Sequence, residues 1–449
     1  MRDEPQARGL SLASAVLAAV LANVALAADA GAGVTPVVEP GAGGPESLAP
    51  TLATRDTAGL VAFVDAAGSL AVVDPDTLEV TVFGSGGSRA FFPAWSHDGT
   101  RVAAVVAGPG STWVEVVDVA RGELAAVVSA SDREPVYLSW SSDDGHLAVL
   151  AGTPAQDLAL DIVDLAKALG GDPAARTTLE HGQPFYWAWS PTGRSVLVHR
   201  DVLGGSALVG LSPIDAFEVA RPLPSPGAFQ APAISGSGRY VAYARRDLAE
   251  GRVVVVDNPE LGEAGAPLVE VVHDGLVAFA WRPGHEHLSV QGVADTRGFQ
   301  GPVVLLEVPG GDAHVLSSDE VVASFWSPDG RWLATLSLAD DEEGGRRVDA
   351  GAALLRVQAR LPVLALRFVE VESGRVVDAG PFQLSRAFLS QYLPFFDQYS
   401  RSHSLWSPDS TALVLPVVGR GRGPMLTVVG VDGTSRELVR GDMPAWNLR

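Results

Sequence analysis

A short pattern recurs along this chain: an apolar residue, Trp, Ser, Pro, Asp, Gly, two variable residues, then an alternating apolar strand. The cleanest copy is Trp326-Ser327-Pro328-Asp329-Gly330, followed by Trp332 to Leu336. Other copies begin at Trp95, Trp140, Trp189, Trp281 and Trp406, and a weaker one at Ile234. The steps between them are 45, 49, 45, 47, 45 and 80 residues. A period near 45 with four short strands per unit defines a β-propeller. The chemistry of the motif agrees. Pro presets φ, Asp bonds nearby backbone N–H groups and Gly accepts a positive φ, so the motif is a tight turn. The Trp is large and flat, suited to the wedge between adjacent twisted sheets.

The ends of the chain bear on the number of blades. Leu60 to Val64, Leu70 to Asp74 and Leu78 to Val82 read as the outer three strands of an N-terminal blade that lacks its inner strand. Near the C-terminus, Met443-Pro444-Ala445-Trp446-Asn447 mimics Phe92-Pro93-Ala94-Trp95-Ser96. The C-terminal strand is therefore expected to complete the N-terminal blade, closing the ring and removing two sheet edges. The expectation is an all-β fold, a single propeller of eight four-stranded blades over residues 57–449. Seven is the alternative, if the unit at Ile234 is not a blade.

These residues resemble the TolB/PD40 group of WD40-like β-propellers, whose mark is the Trp-Ser-Pro-Asp-Gly turn followed by a Leu/Ile-Ala strand. The resemblance covers about residues 57 to 449. It implies the fold. It does not imply one activity, because the group spans the periplasmic Tol-system propeller and the propellers of prolyl oligopeptidase-like peptidases. The Gly-x-Ser-x-Gly elbow of a hydrolase half is not found in a strand–turn–helix setting.

Composition narrows the partners. Lys plus Arg is 32 and Asp plus Glu is 53, a net charge of −21. That disfavours nucleic acid, which needs a basic face, and direct docking on anionic lipid. The chain has no Cys, so disulfides, thiolate nucleophiles and Cys-ligated metals are excluded. Residues 1–30 have the order of a signal peptide: Arg2 and Arg8, an uncharged apolar run from Leu10 to Ala28, and Ala-x-Ala sites. The run is also long enough for a membrane anchor. Residues 31–56 read as a flexible Gly/Ala/Pro-rich linker. Either reading sends the rest of the chain out of the cytoplasm, secreted, periplasmic or tethered.

The long step after Trp326 holds two insertions, 339–361 and 381–402, in connections that leave a propeller on one face. In the second, Leu384, Phe388, Leu389, Tyr392 and Leu393 mark one face of a short helix expected to end at Pro394. Phe395, Phe396, Asp397, Tyr399, Arg401 and His403 follow. Three and four residues before the repeat Trp positions stand Phe91, Phe92, Tyr137, Phe185, Tyr186 and His403. One reading makes the insertion a cap whose aromatics pack on the propeller. The other makes Phe91, Phe92, Tyr137, Phe185, Tyr186, Phe388, Phe395, Phe396, Asp397, Tyr399, Arg401 and His403 a binding lip at the channel mouth. His285-Glu286-His287 occupies a turn slot without metal-site spacing, Asp340 to Glu343 lacks calcium-loop spacing, and Gly419 to Gly423 is a basic loop that precedes no helix. No catalytic set, metal or cofactor is expected. The expected function is a monomeric, non-catalytic module that binds protein, peptide or glycan on the loop-rich face. The alternative is a secreted hydrolase or polysaccharide lyase with its site in the central channel.

Overall fold

The computed structural model describes residues 56–449 apart from 85–86, 156, 183–184, 203–204, 214–230, 248–249, 259–265, 274–276, 293–300, 340–360 and 420–422. The signal or anchor segment, nearly all of the linker, the interior of the 339–361 insertion and Arg420 to Arg422 lie outside these residues. The fold is an all-β propeller built from successive antiparallel sheets. A complete blade is the one formed by Arg89–Trp95, Arg101–Gly108, Ser111–Asp118 and Glu123–Val128, paired in chain order. Among the described residues the strands fall into successive antiparallel groups when two long strands are split at their bends; most have four strands, while Phe185–Trp189, Ser195–Val202 and Gly205–Pro213 form a group of three. Ala313–Trp326 is one of the two long strands: its first half pairs with Gly301–Glu307 and its second half with Trp332–Leu338. The weak copy at Ile234 is a genuine sheet, Ala233–Ile234, Tyr240–Asp247, Glu250–Asp257 and Val269–His273, but its inner strand is only two residues long.

The other long strand, Ser435–Trp446, closes the ring as expected. Ser435 to Arg440 pair with Pro424–Gly430, and Gly441 to Trp446 pair with Val61–Asp65, setting Val61 opposite Trp446 and Asp65 opposite Gly441. The likeness between Phe92-Pro93 and Met443-Pro444 extends to the backbone. Phe92 and Met443 lie at φ 53° and 51°, each inside a bulge of its inner strand. A left-handed residue before proline is uncommon for non-glycine residues. Its occurrence at both matching positions marks the two strands as equivalent elements.

The turns work as their residues dictate. Ser96 Oγ donates to Asp98 Oδ1 at 2.6 Å, Asp98 Oδ1 accepts the Thr100 N–H at 2.9 Å, and Gly99 sits at φ 72°. The set recurs at Ser327, Asp329 and Gly330 and at Ser407 and Asp409, where Ser410 takes the left-handed slot at φ 61°. Neighbouring turns also bond each other. The Asp144 carboxylate accepts the backbone N–H groups of His97 at 2.6 Å and Asp98 at 2.7 Å. The end of the molecule that carries these turns is called the turn face below.

Candidate functional site: a plugged channel lined with indoles

The repeat tryptophans do more than fill wedges. Most project the indole N–H back to the residue preceding the repeat Trp of the previous blade, whereas Trp326 donates to the Ser289 hydroxyl at 2.9 Å. Trp95 Nε1 donates to the Ala445 carbonyl at 3.0 Å, Trp140 to Ala94 at 2.9 Å and Trp406 to Phe325 at 3.1 Å. Trp189 donates to the Ser139 hydroxyl at 3.1 Å. A buried hydrogen bond of this kind contributes about 1 kcal/mol and avoids a larger cost for a stranded donor. The pattern therefore holds blade to blade and fixes the indole planes around the axis. Trp281 departs from it further: its Nε1 is buried with no partner among the described residues, and the blade before it carries Ile234 in place of Trp.

The second insertion enters the channel mouth. Its helical segment consists of a wide turn at Phe388–Tyr392, a tight turn at Leu393–Phe395 and a last turn at Phe396–Tyr399. Pro394 does not end it, contrary to expectation. The Leu393 N–H reaches back to the Phe388 carbonyl, and Pro394 falls at the start of the next turn, where its missing N–H costs nothing. Tyr399 is the hub. Its ring lies 4.6 Å from Tyr137, 5.2 Å from Phe92 and 5.2 Å from Tyr392. Phe396 packs edge-on at 6.0 Å against Phe325, and Phe395 lies 6.3 Å from Tyr186. The segment thus touches inner strands around the ring.

The open lip expected from the sequence is consequently a packed plug. Phe91, Phe92, Tyr137, Tyr186, Phe388, Phe396, Asp397, Tyr399 and His403 are all buried, and Phe395 and Arg401 are partly so. The side chain of Phe185 lies outside the described residues. The cause is mutual: the aromatics of the inner strands and those of the insertion bury one another, each supplying the apolar surface the other needs. Of these residues, Tyr137 and Arg401 also face the cavity beneath the plug.

That cavity has a volume of about 480 Å³ and runs from the underside of the plug to the turn face, where its lining includes His97 and Pro328. Its wall is made largely of indoles, among them Trp95, Trp140, Trp189, Trp326 and Trp406. The plug supplies a polar floor of Gln398, Arg401 and Ser402. The sequence reading missed this wall because the Trp repeat was already accounted for by folding. The available signal was the constant spacing itself, which sets one indole per blade around a common axis.

The floor is linked by hydrogen bonds. His403 Nε2 lies 3.1 Å from the Phe92 carbonyl, which only accepts, so Nε2 carries the hydrogen and Nδ1 accepts from the Ser402 hydroxyl at 2.7 Å. The Tyr137 hydroxyl in turn donates to Ser402 Oγ at 2.5 Å. Burial holds the His403 imidazole down at about 4, and it pushes the Tyr137 phenol up to about 12. Ser402 therefore faces a weak base, and no carboxylate orients that base among the described residues. Burial also pushes the Asp397 carboxyl up to about 6, against the pull of the nearby Arg401 guanidinium and of backbone N–H groups including Gln398.

These two buried groups oppose each other in pH. Asp397 titrates in the folded chain above its ordinary 3.8, so its contribution is fully present below that value and lost as pH rises through about 6. His403 titrates below its ordinary 6.5, so its contribution is present above that value and lost as pH falls through about 4. Relative to the wild type, Asp397→Asn should make stability rise more steeply between pH 4 and 6.5, and His403→Gln should make it fall. Each change is roughly 3 kcal/mol at most across the window, two pKa units at about 1.4 kcal/mol each. Urea unfolding at several pH values measures both, and parallel pH profiles for the three proteins would contradict the assignment.

The chain matches no protein-family model and no curated protein. Solved structures share its fold. Dihydro-heme d1 dehydrogenase NirN in complex with DHE is 15% identical, with 90% of this chain and 78% of that chain covered at a TM-score of 0.54. A structure of two prolyl endopeptidases is 12% identical at a TM-score of 0.53, with 80% of this chain but only 50% of that one covered. TolB from Acinetobacter baumannii aligns over 78% of this chain and 84% of that chain at 13% identity and a TM-score of 0.37, too low to carry the family resemblance. At these identities the likenesses establish the propeller fold alone.

Proposed function

We propose that this protein is an extracytoplasmic propeller that binds a glycan in its central channel, reached from the turn face, and performs no chemistry on it. The observation that carries the reading is the cavity of about 480 Å³, with flat indoles as walls and hydroxyl, amide and guanidinium groups as floor. That size is typical of small-ligand sites. Indole faces suit the apolar C–H face of a sugar ring, and the floor groups suit its hydroxyls. The non-catalytic part rests on His403, which is too weak a base to activate Ser402 at neutral pH. The extracytoplasmic part rests on Arg2, Arg8 and the Leu10 to Ala28 run. Among the described residues no helix is long and apolar enough to cross a membrane. The repeated Trp-Ser-Pro-Asp-Gly turn supports a TolB/PD40-type relationship.

Titration of the purified protein with a panel of oligosaccharides and peptides, followed by tryptophan emission, tests the reading. At least one glycan is expected to shift or quench the emission saturably and to be recovered unchanged. Release of shortened products would establish the hydrolase or lyase instead. Binding of peptides alone, with unaltered tryptophan emission, would move the site out of the channel.

A further inference from the structure

The indole ring is broken at one point. The blade that begins at Ile234 has the shortest inner strand, and Ile234 stands where other blades place Trp, so that sector of the channel wall has less bulk. The next blade's Trp281 Nε1, which by the pattern would donate to the Ala233 carbonyl, is buried without an acceptor among the described residues. Arg401 is rooted in the same sector. Its guanidinium donates to the carbonyls of Pro232, just before Ile234, and of Phe279, on the inner strand that carries Trp281. It remains partly exposed and lines the cavity. No carboxylate among the described residues forms an ion pair with it, and its other N–H groups have no protein acceptor there. Three features therefore coincide: missing bulk, a stranded donor and a cation with free donors.

We propose that the sugar unit held in the channel carries a carboxylate, which Arg401 receives in the sector that Ile234 leaves open. This rests on the channel-binding reading above and names its ligand class, an acidic sugar. A guanidinium offers a carboxylate two parallel N–H bonds, and such charge-assisted pairs are stronger than neutral ones, more so away from bulk water. The charged and titratable groups that act on Arg401 are Asp397 and Tyr137. Tyr137 is neutral at physiological pH. Asp397 opposes an incoming anion when ionised, and it is itself sheltered by the backbone N–H of Gln398.

The experiment compares phenyl β-D-glucuronide with phenyl β-D-glucoside, which differ by a carboxylate in place of a hydroxymethyl group, in tryptophan-emission titrations. The glucuronide is expected to bind about ten-fold tighter or more. Arg401→Gln should bring the glucuronide to the level of the glucoside. Asp397→Asn, which removes the competing charge and leaves the Arg401 anchors in place, should widen the ratio several-fold and serves if Arg401→Gln does not fold. Ile234→Trp should block both ligands by restoring the missing indole. Equal affinity of the wild type for the two ligands, or a ratio unmoved by both charge variants, would overturn the carboxylate proposal and leave the channel reading standing. Failure of both ligands to bind would overturn the two together.

Discussion

Removal of Gly441 to Arg449 is expected to abolish cooperative folding. The deleted stretch is the inner strand of the first blade, and it continues the chain of the C-terminal blade into hydrogen-bonded pairing with Val61–Asp65. Ala445, Trp446 and Asn447 are all buried. Asn447 Nδ2 donates to the carbonyls of Thr57 at 2.6 Å and Gly99 at 3.0 Å, tying three segments at one point. Ala445 accepts the indole N–H of Trp95, and Trp446 donates its own to Gly59 at 2.8 Å. Their loss strands buried polar groups, removes an aromatic from the core and opens two sheet edges to intermolecular pairing. Together these losses are comparable with the roughly 5–15 kcal/mol that typically separates folded from unfolded domains. The milder Trp446→Ala should cost about 3–5 kcal/mol. Urea unfolding followed by tryptophan emission measures the point variant, and light scattering detects the aggregation expected of the truncation. A truncated chain that unfolds cooperatively at the wild-type midpoint would mean that closure contributes nothing.

The second large effect is expected at Tyr399. Its ring touches both the inner strands and the rest of the insertion, at 4.6 Å from Tyr137, 5.2 Å from Phe92 and 5.2 Å from the His403 ring. Tyr399→Ala should cost about 3–5 kcal/mol, the range for deleting a large buried aromatic. Tyr399→Phe keeps the volume and should cost less than about 1.5 kcal/mol. The cavity left by the Ala variant also joins the channel to the plugged end. Amide exchange in Phe388 to His403 is therefore expected to rise well above that of the blade strands. A small loss for Tyr399→Ala, with unchanged exchange, would mean that the segment rests on the ring without sealing it.

The ring and its closure were readable from sequence because they rest on local chemistry repeated at fixed spacing. Ser, Pro, Asp and Gly specify a turn wherever they fall together, and Phe92-Pro93 and Met443-Pro444 share even their unusual backbone. The plug was half readable. Aromatics at Phe91, Phe92, Tyr137 and Tyr186 and in the insertion were identified, but the same residue types suit an open lip and a packed interior equally. What decides between them is complementary volume, which lies between segments more than 200 residues apart, as with Tyr137 and Tyr399. The helical spacing at Leu384 to Leu393 implied one buried face. Enclosure by the channel buries Asp397 and Gln398 as well, so the polar residues gave no sign of it. The cavity was hidden for a further reason: each Trp had a sufficient folding role, and only their convergence on one axis reveals the second.

The most direct test of the central claim is a crystal structure of the protein with its tightest glycan. The sugar is expected between the indoles of Trp140, Trp189 and Trp326 and the plug residues Gln398 and Arg401, entered from the turn face. A sugar bound on the plug face, with the channel unchanged, would contradict it.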